Sequence, residues 1–363
     1  MHPKFEVRCI IKRFIFHSWL ISLSGVKASF FGGFFLFLSI LYLAFFSPNT
    51  HMNKTIHDLE VPDSMSSGQV LHKLETDQVI ANFTSFKLAC IFMGYRDSIP
   101  GGLFQIQQGW NNWAIINHLK SVPRASEAVV IKPFQRRRNT LQTLCESLDI
   151  KYTALRSWLE NESYIRQWGD FNKENVYCIL IPDTILVYRD SRAREVADRL
   201  FRNYHHFWNS ERLSKAAAQG LTNLEAGILA SIVYAETKKS EEMPAIAGLY
   251  LNRLNEGMRL QADPTVVFAH GGSLNRILSA HKRISSTYNT YQVPGLPPGP
   301  VNSATPLAIE AVLNAESHDY LYFCARNDFS GYHHFSRTLG EHLRIARQYQ
   351  KELNRRGIGL KGS

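Results

Sequence analysis

The 363-residue sequence predicts an α+β protein with one N-terminal transmembrane helix, a β-α-α-β subdomain and a helix-rich C-terminal domain. Three observations predict this. A charge-free run rich in Phe and Leu covers residues 28–46 behind a basic leader. Two β-branched runs flank two short helical periods between residues 127 and 188. Beyond residue 194 the apolar positions recur mainly at helical spacing.

The elements follow in chain order. Residues 1–27 carry Lys4, Arg8, Lys12, Arg13 and Lys27 against one acid, Glu6. The run 28–46 is long enough to span a bilayer as a helix. The positive-inside rule keeps the basic tail in the cytosol and sends residues 47–363 across the membrane. Ala44-Phe-Phe46 lacks small residues at both cleavage positions, so an uncleaved anchor is expected rather than a signal peptide. Residues 47–64 are polar, with Pro48, Asn49, Asn53, Pro62 and Asp63, and read as a linker.

A membrane-proximal region is expected over 65–215. Residues 69–74 and 83–93 read as helices. Gly101 and Gly102 mark a turn before a strand at 103–106, and Trp110-Asn-Asn-Trp113 opens a helix over 114–119. Next come a strand at 128–132, helices at 139–148 and 153–159, and a second strand at 176–182. This β-α-α-β order, near 127–188, resembles a LysM-like glycan-binding module. Arg136-Arg-Arg138 and Trp158 either meet glycan there or form an exposed rim and a core aromatic. Helices at 194–207 and 211–219 lead to a boundary near 215–222, and 216–363 forms the C-terminal domain.

Apolar residues make up 45% of the chain, enough for a sizeable core. Setting aside five bases and one acid of the leader from the formal charge of +10 leaves about +6 beyond the membrane. A basic exported domain suits an anionic partner such as lipid headgroups or an acidic wall polymer. The charges are scattered and no nucleic-acid motif accompanies them, so no nucleic acid is expected as a partner. Cys9 falls on the cytosolic side. Cys90, Cys145, Cys178 and Cys324 have no redox or zinc spacing and are either paired or buried thiols.

Chemistry concentrates between residues 226 and 264. Residues 226–237 read as a helix, with Thr222 and Glu225 in capping-box spacing at its start. On the face of Glu236 lie Leu229, Ile232 and Val233. A carboxyl at the end of an apolar stripe has its pKa raised, the condition for a general acid at neutral pH. The ordinary alternative is a solvated Glu paired with Lys238 or Lys239. A second helix, 244–255, places Ile246, Ala247, Tyr250, Leu251 and Leu254 at core spacing, with Asn252 and Arg253 in its last turns. Pro264 predicts an extended piece at Asp263. Gly295-Leu-Pro-Pro-Gly-Pro300 is a loop stiff in its middle. Tyr288-Asn-Thr-Tyr291 precedes it; Tyr rings and amides suit the wall of a sugar groove. A strand at 319–323, His333-His-Phe-Ser336 and a basic helix over 338–356 close the chain. The inner face of that helix is expected to carry Leu343, Ala346, Tyr349 and Leu353.

The motifs Ala-Ser-Ile-Val…Glu-Thr, Leu-Asn-Arg-Leu, Met-Arg-Leu-Gln-Ala-Asp-Pro-Thr, Tyr-Asn-Thr-Tyr, Gly-Leu-Pro-Pro-Gly-Pro, Tyr-Phe and His-His-Phe-Ser, in this order, resemble the MltG (YceG-like) family of endolytic murein transglycosylases. The match is dense over 224–342. The resemblance implies a lyase that cuts peptidoglycan glycan strands in cell-wall biogenesis, with Glu236 as the single catalytic acid and base. Candidate substrate-binding residues are Gln261, Asp263, Thr265, Tyr288, Asn289, Tyr291, Pro297 and His334. It implies no cofactor and no metal, and His333-His334 lacks the spacing of a zinc protease. It also implies a single-pass protein of the bacterial inner membrane, a periplasmic catalytic domain, and peptidoglycan synthases as partners. Tyr234 stands where relatives often carry an acid, which leaves Glu236 the only carboxylate of its motif. The alternatives are a two-carboxylate hydrolase using Glu236 and Asp263, or a catalytically silent glycan-binding scaffold.

Overall fold

The computed structural model describes residues 38–51, 55–62, 65–95, 100–133, 137–272, 274 and 277–356. The chain divides into two compact units, Met1–Ser126 and Glu127–Ser363. The fold is mixed α and β, helix-rich, with two-stranded sheets.

In the first unit, β1 (Ile56–Val61) and β2 (Gly102–Gln107) pair antiparallel, Leu59 opposite Phe104 and His57 opposite Ile106. Between them lie α1 (Ser67–Thr76) and α2 (Phe83–Phe92); α3 (Asn112–Lys120) follows β2. Ser66 and Gln69 form a capping box on α1, and Asn82 and Asn111 cap α2 and α3 through their side chains. Alternate strand positions Leu59, Val61, Phe104 and Ile106 point inward and are buried with Val70, Leu74, Phe86, Ile115 and Leu119. The β-α-α-β order expected once, at 127–188, thus also occurs here.

The described residues of the expected linker, 47–51 and 55–62, are part of the fold. Asn49 is buried, donating to Asn112 Oδ1 at 2.7 Å and accepting from the Asn82 backbone N–H at 2.7 Å. Pro48 bridges to Asn111 and Thr50 to Ile80, and β1 begins at Ile56. These side-chain bonds reach across the fold, which composition alone does not reveal. Most of the expected anchor, 28–37, lies outside the described residues; residues 38–46 are helical. Among the described residues no helix is long and apolar enough to cross a membrane.

In the second unit, β3 (Ser126–Ile131) pairs with β4 (Asp183–Tyr188) around α4 (Arg137–Ser147), α5 (Tyr152–Leu159) and the short α6 (Glu162–Ile165). The second strand expected at 176–182 is instead a buried 3-10 turn, Asn175–Ile179. Asn172 and Asn175 exchange side-chain-to-backbone bonds of 2.7 and 2.9 Å that wind this turn. A short all-apolar run fits a buried turn as well as a buried strand. Trp158 packs edge-on against Tyr164, with Arg194 over its ring.

The remaining helices are α7 (Ala193–Phe207), α8 (Ser210–Ala218), α9 (Asn223–Glu236), α10 (Met243–Asn255), α11 (Asp263–Ala269) and α12 (Pro306–Leu313). A hairpin of β5 (Tyr322–Ala325) and β6 (His333–Ser336) follows, then α13 (Leu339–Arg355). One hydrophobic core runs from Val129 to Leu313, so no break falls at the expected boundary of 215–222. The helix α9 is its axis. Residues Ala226 to Val233 are all buried, and α10, α11, α12 and the 175–179 turn pack around them.

Two register differences have local causes. The strand expected at 319–323 starts at Tyr322, because Asn252 Nδ2 binds the carbonyls of His318 and Tyr320 at 2.6 and 3.1 Å. On α13, Leu343 is exposed; the inner positions are His342, Ile345, Ala346, Tyr349 and Leu353, with His342 stacked on Tyr322.

Gly248 marks the closest approach to α10. A Cβ there would collide with the carbonyl oxygen of Glu316. Gly248→Ala is therefore expected to destabilise the second unit by about 1–3 kcal/mol, read as a lower urea midpoint. An unchanged midpoint would contradict this packing.

Candidate active site

The helix α9 is built to end at Glu236. Thr222 caps it and exchanges bonds with Glu225 in a full capping box. The helix stops at Thr237, which is extended at φ −139°. Glu236 thus occupies the last turn, where the negative pole of the helix opposes a carboxylate. Leu229, Ile232 and Val233 on its face are fully buried.

Neither neighbouring lysine pairs with it. Lys238 donates to the Tyr234 carbonyl at 3.2 Å and lies over the Tyr234 ring, while Lys239 lies over the ring of Tyr332. The partner of Glu236 is Tyr250 on α10, whose buried hydroxyl donates to Oε1 at 2.8 Å. Burial pushes the pKa of Glu236 from 4.5 up to about 7; the Tyr250 hydrogen bond opposes the rise and the nearby Asp263 charge adds to it. Near neutrality such a group exists in both protonation states, as a group that first gives and then takes a proton requires.

A second polar cluster lies beside the first. Tyr291 donates to Asp263 Oδ1 at 2.6 Å. Lys282 donates to the Tyr291 hydroxyl at 2.8 Å and stands 3.4 Å from the same Asp263 oxygen. Burial, and then the Asp263 hydrogen bond and charge, push the Tyr291 phenol well above its usual range. Asp263 is half-exposed. It is the first residue of α11, not part of an extended piece: Pro264 sits in the first turn, where its missing N–H costs nothing, and the extended residue is Ala262.

The other expected contact residues divide by exposure. Gln261 is exposed, its backbone held at φ +52°, with its N–H donating to the Thr290 carbonyl. Thr265 and Asn289 are fully buried and structural. Thr265 Oγ1 bonds the Ala262 carbonyl and Thr290 Oγ1, and Asn289 Nδ2 donates to the carbonyls of Lys282 and Ile284. Both shape the turns that carry Asp263 and Tyr291. Tyr288 packs on Phe268 at 4.5 Å and lies under the proline loop, where a Cβ on Gly299 would come within 2.9 Å of its hydroxyl. Pro297 is buried in that loop. His334 is exposed and faces away from the core side of the hairpin. That side carries Phe323, which packs edge-on against Tyr250, and His333, which is bonded to Glu242 at 2.9 Å. Strand alternation puts His334 opposite them. Among the described residues no cluster of His, Cys, Asp or Glu could hold a metal, and Cys90, Cys145, Cys178 and Cys324 are free thiols.

Motif residues outside the site hold it in place. Ser231 Oγ accepts from the Val301 N–H at 3.0 Å and fixes the exit of the proline loop to α9. Arg253 donates to the carbonyls of Leu321, at 2.6 Å, and of Arg259 and Leu260, tying α10 to the hairpin and to the segment before Asp263. Tyr250 and Lys282 are site residues that sequence reasoning missed. Tyr250 carries a signal, since a buried tyrosine usually finds a partner for its hydroxyl. Lys282 carries none.

A model of the YceG-like family matches residues 59–348. An endolytic murein transglycosylase of Bacillus subtilis is 26% identical over 322 residues, covering 83% of this chain and 87% of the relative. An endolytic murein transglycosylase of Streptococcus pneumoniae is 32% identical over 188 residues, covering 50% of this chain; the chain spans 31% of that relative's length. The crystal structure of a yceG-like protein from Listeria monocytogenes aligns with a TM-score of 0.48 at 22% identity, covering 81% of this chain and 99% of that one.

The raised pKa has a consequence for stability. The folded state holds the Glu236 proton more tightly than the unfolded state, so wild-type stability falls as pH rises from 4.5 through about 7. Glu236→Gln lacks that loss. It is expected to be more stable than wild type at pH 8 by at most about 3 kcal/mol, with the gap closing toward pH 4.5. Urea unfolding at both pH values checks this; parallel curves would contradict it.

Proposed function

Because the chain belongs to the YceG-like family, we propose that it is an endolytic murein transglycosylase, a lyase that cuts peptidoglycan glycan strands internally with Glu236 as both acid and base. The observation that carries this reading is the half-buried Glu236, its pKa raised to about 7, with the Tyr250 hydroxyl as its donor.

The proposed steps run in this order. Tyr250 occupies Oε1, which leaves Oε2 to hold the proton. Protonated Glu236 gives that proton to the oxygen linking MurNAc to GlcNAc, and the C1–O bond breaks with positive charge growing on the MurNAc ring. The carboxylate so formed keeps the Tyr250 hydrogen bond, which favours its charged form. It then takes the proton of the MurNAc 6-hydroxyl as that oxygen bonds to C1. One proton leaves Glu236 and one returns, no water is consumed, and the product ends in 1,6-anhydroMurNAc. Gln261, Asp263 and Tyr291 orient the sugar beside this carboxylate, with Lys282 fixing the Asp263–Tyr291 pair.

A hydrolase is the second reading, and one observation favours it: Asp263 lies close enough to raise the pKa of Glu236. Against that role, Asp263 already accepts from Tyr291. In the wider setting, residues 28–46 anchor the chain once in the inner membrane with its catalytic unit outside the cytoplasm. A LysM-like module contacts glycan, and peptidoglycan synthases supply nascent strands. Cutting such strands terminates their elongation.

Mass spectrometry of glycan strands digested by the full chain tests the activity. Internal cuts with anhydro ends are expected, with Glu236→Gln slower by about 10³-fold or more. Reducing ends that have gained a water would make the protein a hydrolase. Strand binding without cleavage would make it a scaffold.

A further inference from the structure

The first unit exposes an apolar face that its own core does not use. The helix α2 buries Phe86, Ala89 and Cys90 inward. Its opposite face, Thr84, Lys87, Leu88, Ile91 and Phe92, is exposed at helical spacing. Ile91 and Phe92 are 59% and 61% exposed, which is unusual for adjacent large apolar side chains on a soluble surface. Trp113, at the start of α3, is 48% exposed. A helix apolar on both faces belongs in a core or against lipid.

The surroundings of this face say what covers it. The helical segment 38–46 is fastened to it. Phe45 packs edge-on against Phe92 at 6.1 Å, and Phe46 stacks on Trp113 at 5.9 Å. The side chains of Asn112 and Asn111 donate to the carbonyls of Ala44 and Phe46, at 2.6 and 3.3 Å. These bonds satisfy carbonyls that a helix end leaves open, so the end of the 38–46 segment is tied to the start of α3. Leu38, Ile40, Tyr42 and Leu43 on that run are themselves exposed. The charges of α2 and α3 are Lys87 and Lys120, with no Asp or Glu in either helix. Lys87 lies over the Phe83 ring and Lys120 donates to the Met93 carbonyl at 2.7 Å; exposed aromatic and apolar groups with lysines and no acids beside them are the composition of an interfacial membrane surface.

We propose that the outer face of α2, together with Trp113, is a lipid-docking surface that lies in the headgroup region of an anionic phospholipid bilayer. This rests on the reading of residues 28–46 as a membrane anchor. The anchor alone would leave the unit free to tumble above the membrane; docking sets its orientation and its height. Leu88, Ile91, Phe92 and Trp113 enter the boundary between headgroups and acyl chains, while Lys87 and Lys120 meet lipid phosphates.

The test uses the full chain in vesicles of phosphatidylcholine and phosphatidylglycerol whose acyl chains are brominated close to the headgroup. The signal of Trp113 is the difference between the chain and its Trp113→Phe variant. In the Trp113→Phe background, Ile91→Trp reports independently on α2 and Tyr42→Trp on the 38–46 helix. Docking predicts that Trp113 and the Ile91→Trp reporter each lose about half of their emission or more. A quenched Tyr42→Trp reporter with unquenched reporters at 113 and 91 would overturn the proposal and leave the anchor standing; the face would then await a protein partner. An unquenched Tyr42→Trp reporter would overturn the anchor and the docking together.

Discussion

The hydrogen bond from Tyr250 to Glu236 joins the two helices on which the site depends. It exists because α9 runs through the middle of the core and delivers a carboxyl at its last turn, where α10 passes with a buried tyrosine. A carboxyl so placed resists ionisation. The hydroxyl limits that resistance, holding the pKa near 7 instead of higher. The balance is what a single group needs if it is to act as acid and then as base.

Much of the second unit serves to keep that pair in register. Ser231 on α9 holds the end of the proline loop, and Asn252 and Arg253 at the end of α10 hold the hairpin and the 259–260 segment. Arg253 is buried, and its charge is accommodated by carbonyl oxygens and by the face of Tyr322 rather than by a carboxylate. The turn at 289–291 laces to Ala262 and Thr265 through Thr290. The left-handed backbone at Gln261 is held within that lacing. Asp263 and Tyr291 therefore reach the site on short segments fixed at both ends.

The sequence made the periodic parts legible. The helix ending at Glu236, its capping box, the second helix and the pairing of Glu236 with an apolar stripe all follow from spacing and capping chemistry, and the structure has them. The failures share a cause, which is that asparagine side chains make bonds that neither composition nor apolar spacing reports. Asn49 turns an apparent linker into part of a fold, Asn252 delays a strand, and Asn172 with Asn175 winds an apolar run into a turn. Thr265 and Asn289 suit ligand contacts as polar residues of loop motifs; in the fold both are buried and bonded to neighbouring turns. Tyr250 was read only as a core position, since helical periodicity reports which face is buried and not where a hydroxyl ends.

The most direct test of the account is the titration of the Glu236 carboxyl itself, followed by carbon NMR of the labelled side chain in wild type and in Tyr250→Phe. A midpoint near 7 is expected in wild type and a higher one when the hydroxyl is removed. A wild-type midpoint near 4.5, unmoved by Tyr250→Phe, would mean that the carboxylate is solvated and would contradict its role as the acid.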